Sequence, residues 1–117
     1  MEILEETQEG ATIVLPRGRV DSVSSTDLEG CLLGHVAAGK TQLVVDCSSM
    51  EYISSAGLRV ILMLAKKLKD TGGRLVLCAM PESVRLVFEL AGFLPIFEIE
   101  ESRQAALARL ASGPRAG

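Results

Sequence analysis

Apolar residues occur along this chain in two patterns, short extended runs and longer stretches that repeat with the period of an α-helix. The short runs predict five strands, at residues 3–7, 11–20, 41–45, 74–78 and 96–99. A turn signal at Gly10 predicts that the first two strands form a hairpin. Pro16 cannot donate a ladder hydrogen bond, which predicts an edge position or a bulge at that point.

The longer stretches predict four helices, each with an identifiable start. The first begins at Ser24 as N-cap, with Val23 and Leu28 placed as a hydrophobic staple. The second follows a pair of serines, the third has Pro81 in its first position, and the fourth is capped by Ser102 and reaches residue 110. Glycines are placed to end the first three helices.

The order of these elements is β-β-α-β-α-β-α-β-α, which predicts one α/β domain over residues 1–111. An opening hairpin followed by βα units gives a mixed sheet of four to five strands, with right-handed crossovers and helices packed against it. Residues 112–117 are expected to form a flexible C-terminal tail. The chain of 117 residues is long enough for one core and too short for two.

Composition narrows the possible functions. A formal net charge of −3, one tyrosine and no tryptophan argue against nucleic-acid binding, because neither a basic field nor a stacking platform is present. No apolar run approaches the ~18 residues of a membrane span, and the acidic N-terminus is unlike a signal peptide. We therefore expect a cytoplasmic protein whose partners are proteins. The three cysteines lack metal-type spacing and are expected to be buried, reduced thiols.

The most informative stretch is the polar loop between the third predicted strand and the second helix. It ends in Ser54 and Ser55, where a serine can cap the helix and where the helix dipole also favours a bound phosphate. Within the helix, Met63 lies outside the apolar arc, on the same side as Arg59. Met63 is either an apolar residue tolerated at the surface or the adaptable centre of a docking surface.

This stretch resembles the core of the STAS family, which includes the anti-sigma-factor antagonists of bacterial partner-switching systems. The family pattern is a strand ending in Asp, a short loop, and then Asp-Ser-Ser-Gly-Leu opening a helix, with the second serine phosphorylated. The matching residues here are Asp46, Ser54, Ser55, Ala56, Gly57 and Leu58, and the family's earlier glycine and aspartate match Gly18 and Asp21. In strict register the phosphorylated serine falls on Ala56, so the acceptor is predicted to be Ser55, with Ser54 as second choice.

The resemblance implies a binding switch and not an enzyme. Such an antagonist, when unphosphorylated, binds an anti-sigma factor that is a GHKL-type serine kinase and thereby frees a sigma factor. The kinase phosphorylates the antagonist, a PP2C-type phosphatase reverses this, and the antagonist itself needs neither cofactor nor metal. The implied partner-binding residues are Asp21, Asp46, Ser54, Ser55, Ala56, Gly57, Arg59 and Met63. The oligomeric state stays open.

Two other functions share some of these residues. Some STAS domains are non-switching subunits of larger assemblies, such as lipid-transport ABC complexes or sensory complexes, and Ala56 at the phosphoserine register favours that class. His35, Asp46 and Ser55 supply the residue types of a hydrolytic triad, but the Gly-x-Ser-x-Gly elbow is absent. The single histidine, His35, is therefore expected to be structural.

Overall fold

The computed structural model describes residues 1–113. Its elements, in chain order, are β1 (Ile3–Gln8), β2 (Ala11–Pro16), β3 (Gly18–Val20), α1 (Ser24–Ala37), β4 (Gln42–Asp46), β5 (Met50–Ile53), α2 (Ser55–Asp70), β6 (Arg74–Cys78), α3 (Glu82–Leu90), a 3-10 turn (Leu94–Ile96), β7 (Glu98–Glu100) and α4 (Arg103–Ala111). The predicted tail falls mostly on residues 114–117, which lie outside the described residues.

Five strands form the main sheet in the order β1-β2-β4-β6-β7. The hairpin β1–β2 is antiparallel, and every other neighbouring pair is parallel. The predicted mixed sheet of four to five strands, opened by a hairpin, is therefore confirmed. Parallel neighbours need crossover connections, which α1, α2 and α3 supply together with their flanking loops.

The second predicted strand, residues 11–20, is wrong as a single element. Pro16 closes β2; the pairing of β2 with β4 ends at Val14, so among the described strands Pro16 has a neighbour on the β1 side alone, as the predicted edge position requires. After Arg17 the chain turns at Gly18, which has a φ of +87° that glycine tolerates at no steric cost. The following β3 pairs in parallel with β5, a short strand inside the predicted polar loop.

The sheet has a core on each face. The larger one joins β2, β4, β6 and the β3–β5 ribbon to α1, α2 and α3, and its fully buried members include Val20, Leu32, Val45, Leu64 and Phe88. The smaller one lies under α4 and contains Ile13, Val44, Val76, Cys78 and Leu107. Strand side chains alternate between these faces, so each residue's position in a strand decides which helices it meets.

The starts of α2 and α4 follow the prediction, whereas those of α1 and α3 differ from it. Ser54 caps α2 and Ser102 caps α4, each accepting from a backbone N–H in the first turn at 3.2 and 3.0 Å. Pro81 precedes α3 instead of occupying its first position. Val23 stands at the N-cap position of α1 without a side-chain hydrogen bond, and the capping bond comes instead from the Asp21 carboxylate, which accepts from the N–H of Ser24. The predicted staple is wrong, because Val23 is 80% exposed.

Candidate functional site: the N-terminal end of helix α2

Ser54 joins β5 to α2, and its hydrogen-bonding groups are committed to that junction. Its backbone is extended, at φ −89° and ψ 171°, as an N-cap requires. Its N–H donates to the carbonyl of Val20 at 2.8 Å, and its hydroxyl oxygen accepts from the N–H of Gly57 at 3.2 Å. The predicted capping role is therefore confirmed, and it occupies the Ser54 hydroxyl.

Ser55 is the first residue of α2 and is exposed. Among residues 1–113 its hydroxyl has no hydrogen-bond partner. The first turn of this 16-residue helix carries no acidic side chain, so nothing within it offsets the positive end of the helix dipole. Arg59, one turn further along, is exposed and forms no ion pair within the described part of the chain. This helix end combines a free hydroxyl with a favourable field for negative charge.

Gly57 lies under this surface and not on it. A Cβ at this position would stand 2.7 Å from Cγ1 of Ile53 and 2.9 Å from Cγ1 of Val20, closer than carbon atoms pack. The glycine therefore allows the first turn of α2 to lie directly on the β3–β5 ribbon. Because Gly57 is buried, it supports the site by positioning Ser55, and its contact with a partner stays a prediction.

Ala56, Arg59 and Met63 line a shallow groove of about 380 Å³ between α2 and α1. The predicted grouping of Met63 with Arg59 is confirmed, since both side chains reach this groove and Met63 is half-buried in it. Val60 also contributes, and the opposite wall consists of Ser25, Thr26 and Glu29 of α1. Sequence reasoning missed that wall, because periodicity shows which face of α1 is apolar and not which helix lies beside its polar face.

Asp21 lies beside the start of α2, since the preceding residue, Val20, bonds to Ser54. One carboxylate oxygen accepts from the N–H groups of Ser24 at 2.9 Å and of Val23 at 3.0 Å. These bonds hold the pKa of Asp21 below its usual value, and the bond from the Ser24 backbone N–H has the largest effect. Asp21 is therefore an ionised cap of α1 at the rim of the predicted surface.

Asp46 is not brought together with the serines. Its carboxylate is 7% exposed and pairs with Nε of Arg103 on α4 at 3.0 Å. Its other oxygen accepts from the N–H of Ser48 at 3.0 Å. Asp46 has the same strand parity as Val44, so it points to the α4 face of the sheet, opposite to α2. The Asp46 carboxylate is therefore engaged on the α4 side of the sheet.

The chain matches a known protein family over most of its length. A model of the STAS domain matches residues 2–106. The chain belongs to the STAS family. It is 43% identical over 108 residues to a protein of Bordetella bronchiseptica named "Putative anti-sigma factor antagonist BtrV", an alignment that covers 92% of this chain and 93% of that protein.

Solved STAS structures agree with this assignment. An anti-sigma factor antagonist from Mycobacterium paratuberculosis superposes with a TM-score of 0.86 at 26% identity, over 94% of this chain and 93% of that one. The anti-sigma factor antagonist SpoIIAA of Bacillus, in its unphosphorylated form, gives 0.82 at 16% identity over 97% and 100%. The fold prediction is thus confirmed. Proteins so named are regulatory binding modules. Within residues 1–113 of this chain, none of the helices is long and apolar enough to cross a membrane.

Proposed function

We propose that this STAS domain is an anti-sigma-factor antagonist whose binding to its partner is blocked by phosphorylation of Ser55. The partner is an anti-sigma factor of the GHKL serine-kinase type, and a PP2C-type phosphatase reverses the modification. Control of a sigma factor would place the protein in the cytoplasm. The similarity to BtrV supports the class of function. The choice of Ser55 as the phosphate acceptor rests on its hydroxyl, which is exposed and has no hydrogen-bond partner among the described residues.

Three positions compete for the role of acceptor, and their chemistry differs. Ala56 has no hydroxyl, although it occupies the register of the family's phosphoserine. The Ser54 oxygen already accepts from the N–H of Gly57, so a phosphate there would have to replace this cap with bonds to its own oxygens. Ser55 can be modified without the loss of any hydrogen bond among the described residues. Ser55 is therefore the acceptor that the fold supports best.

The phosphate would act on the partner more than on the domain itself. Phosphorylation adds about −1.5 to −2 charges at pH 7, and a helix N-terminus favours such charge by about 0.3 to 1 kcal/mol. Arg59 lies at the i+4 position and can pair with the phosphate. A partner docked over the same helix end would instead have to desolvate a dianion. A thousand-fold loss of affinity corresponds to about 4 kcal/mol, within reach of one badly placed charge.

The first experiment is phosphosite mapping by mass spectrometry on protein recovered from its native host with phosphatases inhibited. Wild type is compared with Ser55→Ala and, as the matched control, Ser54→Ala. We expect phosphate on Ser55 in wild type and in Ser54→Ala, and none in Ser55→Ala. Phosphate on Ser54 would keep the switch and move its centre. In binding assays with the cognate kinase, Ser55→Asp should weaken the complex while Ser55→Asn, its neutral counterpart, should not.

A second candidate is a non-switching subunit of a larger assembly. Ala56, where the family pattern has its phosphoserine, is the observation that favours it. In that case no phosphate is found under any growth or stress condition, and Ser55→Asp leaves partner binding unchanged. Ser55 would then serve only as the first residue of α2.

A further inference from the structure

Away from α2, three metal-ligating side chains converge between α1 and the edge strand β1. Cys31 and His35 lie one turn apart on α1, so their side chains share a face of the helix. Both reach Glu5 of β1. Its Oε1 lies 3.3 Å from Sγ of Cys31 and 2.5 Å from Nε2 of His35. The three ligand atoms all lie within 4.8 Å of one another.

We propose that Glu5, Cys31 and His35 form a binding site for a divalent transition-metal ion, with Zn²⁺ as the preferred ion. A thiolate, an imidazole and a carboxylate are the three ligand types that proteins use for zinc. Softness and geometry argue against the hard cations, because Ca²⁺ and Mg²⁺ take oxygen ligands almost exclusively. A simple ion pair between Glu5 and His35 would not require a thiol directed at the same carboxylate oxygen.

The two distances from Oε1 of Glu5 show how far its neighbours must move to admit the ion. With bonds of about 2.1 Å to nitrogen and oxygen, a tetrahedral zinc site places those two atoms about 3.4 Å apart. The His35 and Glu5 atoms would therefore separate by about 0.9 Å, and the sulfur and carboxylate oxygen by about 0.3 Å. The Glu5 side chain is 49% exposed, so it can make this adjustment, and it leaves the ion a path from solvent.

Binding has a defined proton balance. The Cys31 thiol donates to Oε1 of Glu5 at 3.3 Å, so it carries its proton when no metal is bound. Formation of the metal–sulfur bond releases that proton to solvent, and no electron is transferred. Three protein ligands leave one tetrahedral position for water. The cluster escaped the sequence analysis because Glu5 lies far from Cys31 and His35 along the chain.

The test uses tag-free, full-length protein and two probes, Co²⁺ for spectroscopy and Zn²⁺ for affinity against a chromophoric chelator. We expect Co²⁺ to give a thiolate-to-metal charge-transfer band and the visible bands of a tetrahedral ion. Cys31→Ser should abolish the charge-transfer band. Loss of any one ligand, in Cys31→Ser, His35→Gln or Glu5→Gln, should weaken Zn²⁺ binding by about a hundred-fold or more.

The matched controls are Cys78→Ala, which removes a thiol outside the cluster, and Glu9→Gln, which removes an exposed carboxylate in the β1–β2 turn. Both should keep the band and the affinity. Zn²⁺ should also raise the Tm of wild type and of the controls but not of the ligand variants. Absence of the charge-transfer band, or equal Zn²⁺ affinity in wild type and Glu5→Gln, would overturn the proposal. Glu5→Gln is decisive, since this exposed residue can change without a packing defect.

Discussion

The contact of α4 with the sheet and the start of α2, which lie on opposite faces of the sheet, differ in how their charged side chains are paired. Under α4, Arg103 pairs with Asp46 and Glu6, and Arg109 pairs with Glu98 at 3.4 Å and with Glu100 at 3.1 Å. At the start of α2, on the other face, neither the Ser55 hydroxyl nor the Arg59 guanidinium has a partner within residues 1–113.

This difference separates structural charge from charge available to a partner. A buried carboxylate that already has its cation cannot serve a partner without the loss of that pair. An exposed arginine beside a free hydroxyl can form new bonds at no such cost. Of the two aspartates that the sequence pattern singled out, Asp46 therefore belongs to the fold, whereas Asp21 stays at the rim of the surface.

The largest effect is expected where this pairing is broken. Asp46→Ala removes a nearly buried carboxylate from Arg103 and an acceptor from the Ser48 N–H. We expect a loss of about 3 kcal/mol in the free energy of unfolding, measured by urea denaturation. Glu6→Ala is the matched control, because it removes the more exposed carboxylate of the same arginine and should cost under about 1 kcal/mol. An unchanged free energy of unfolding in Asp46→Ala would contradict the structural role of Asp46.

Met63→Asp tests the opposite face. A carboxylate in the α1–α2 groove should weaken binding of the cognate anti-sigma factor by about a hundred-fold, or about 2.7 kcal/mol, while stability changes little. Titration calorimetry measures the first quantity and thermal unfolding the second. Leu86→Asp on α3, where the side chain is 51% exposed, is the control and should bind normally. Equal binding by both variants would show that the docking surface lies elsewhere.

The parts of the fold that could be predicted depend on local signals. An apolar run predicts the strand β4. Short-range hydrogen bonds to backbone N–H groups predict that Ser54 caps α2 and that Ser102 caps α4. Ribbon β3–β5 was missed because each strand has only three or four residues and each is completed by the other, far along the chain. The orientation of Asp46 depends on strand parity and on Arg103, which comes 57 residues later.

The site divides in the same way. Ser55, Arg59 and Met63 share a helix, so their common face is set by the helical repeat. The α1 wall of the groove and the Glu5 cluster require knowledge of which elements pack together. Gly57 is intermediate: the motif marked it as important, but only the contacts to Ile53 and Val20 show that its role is packing.

Two glycine-to-alanine changes test whether the close packing of α2 on the β3–β5 ribbon holds this helix in place. Gly57→Ala should destabilise the domain by about 1 to 2 kcal/mol, because overpacking against Ile53 and Val20 exceeds the gain in helix propensity. Gly34→Ala is its matched control within α1. A Cβ added at Gly34 would have no atom of the described residues within 4 Å, apart from its own helix backbone and chain neighbours. This change should stabilise by up to about 1 kcal/mol. The opposite signs are read from paired denaturation curves, and a stabilising Gly57→Ala would refute the tight packing.

The smallest effect separates the two serines. Ser54→Ala removes the N-cap acceptor of Gly57 and should cost about 1 kcal/mol, whereas Ser55→Ala, which breaks no described hydrogen bond, should stay within about 0.5 kcal/mol of wild type. Their order in stability is thus the reverse of their expected order in phosphorylation, where Ser55→Ala alone removes the acceptor. Chemical denaturation and an in vitro kinase reaction on the same preparations give both orders. If Ser55→Ala were the less stable variant, the Ser55 hydroxyl would be engaged in the fold. The assignment of Ser54 as the capping serine and Ser55 as the modified serine would then have to be abandoned.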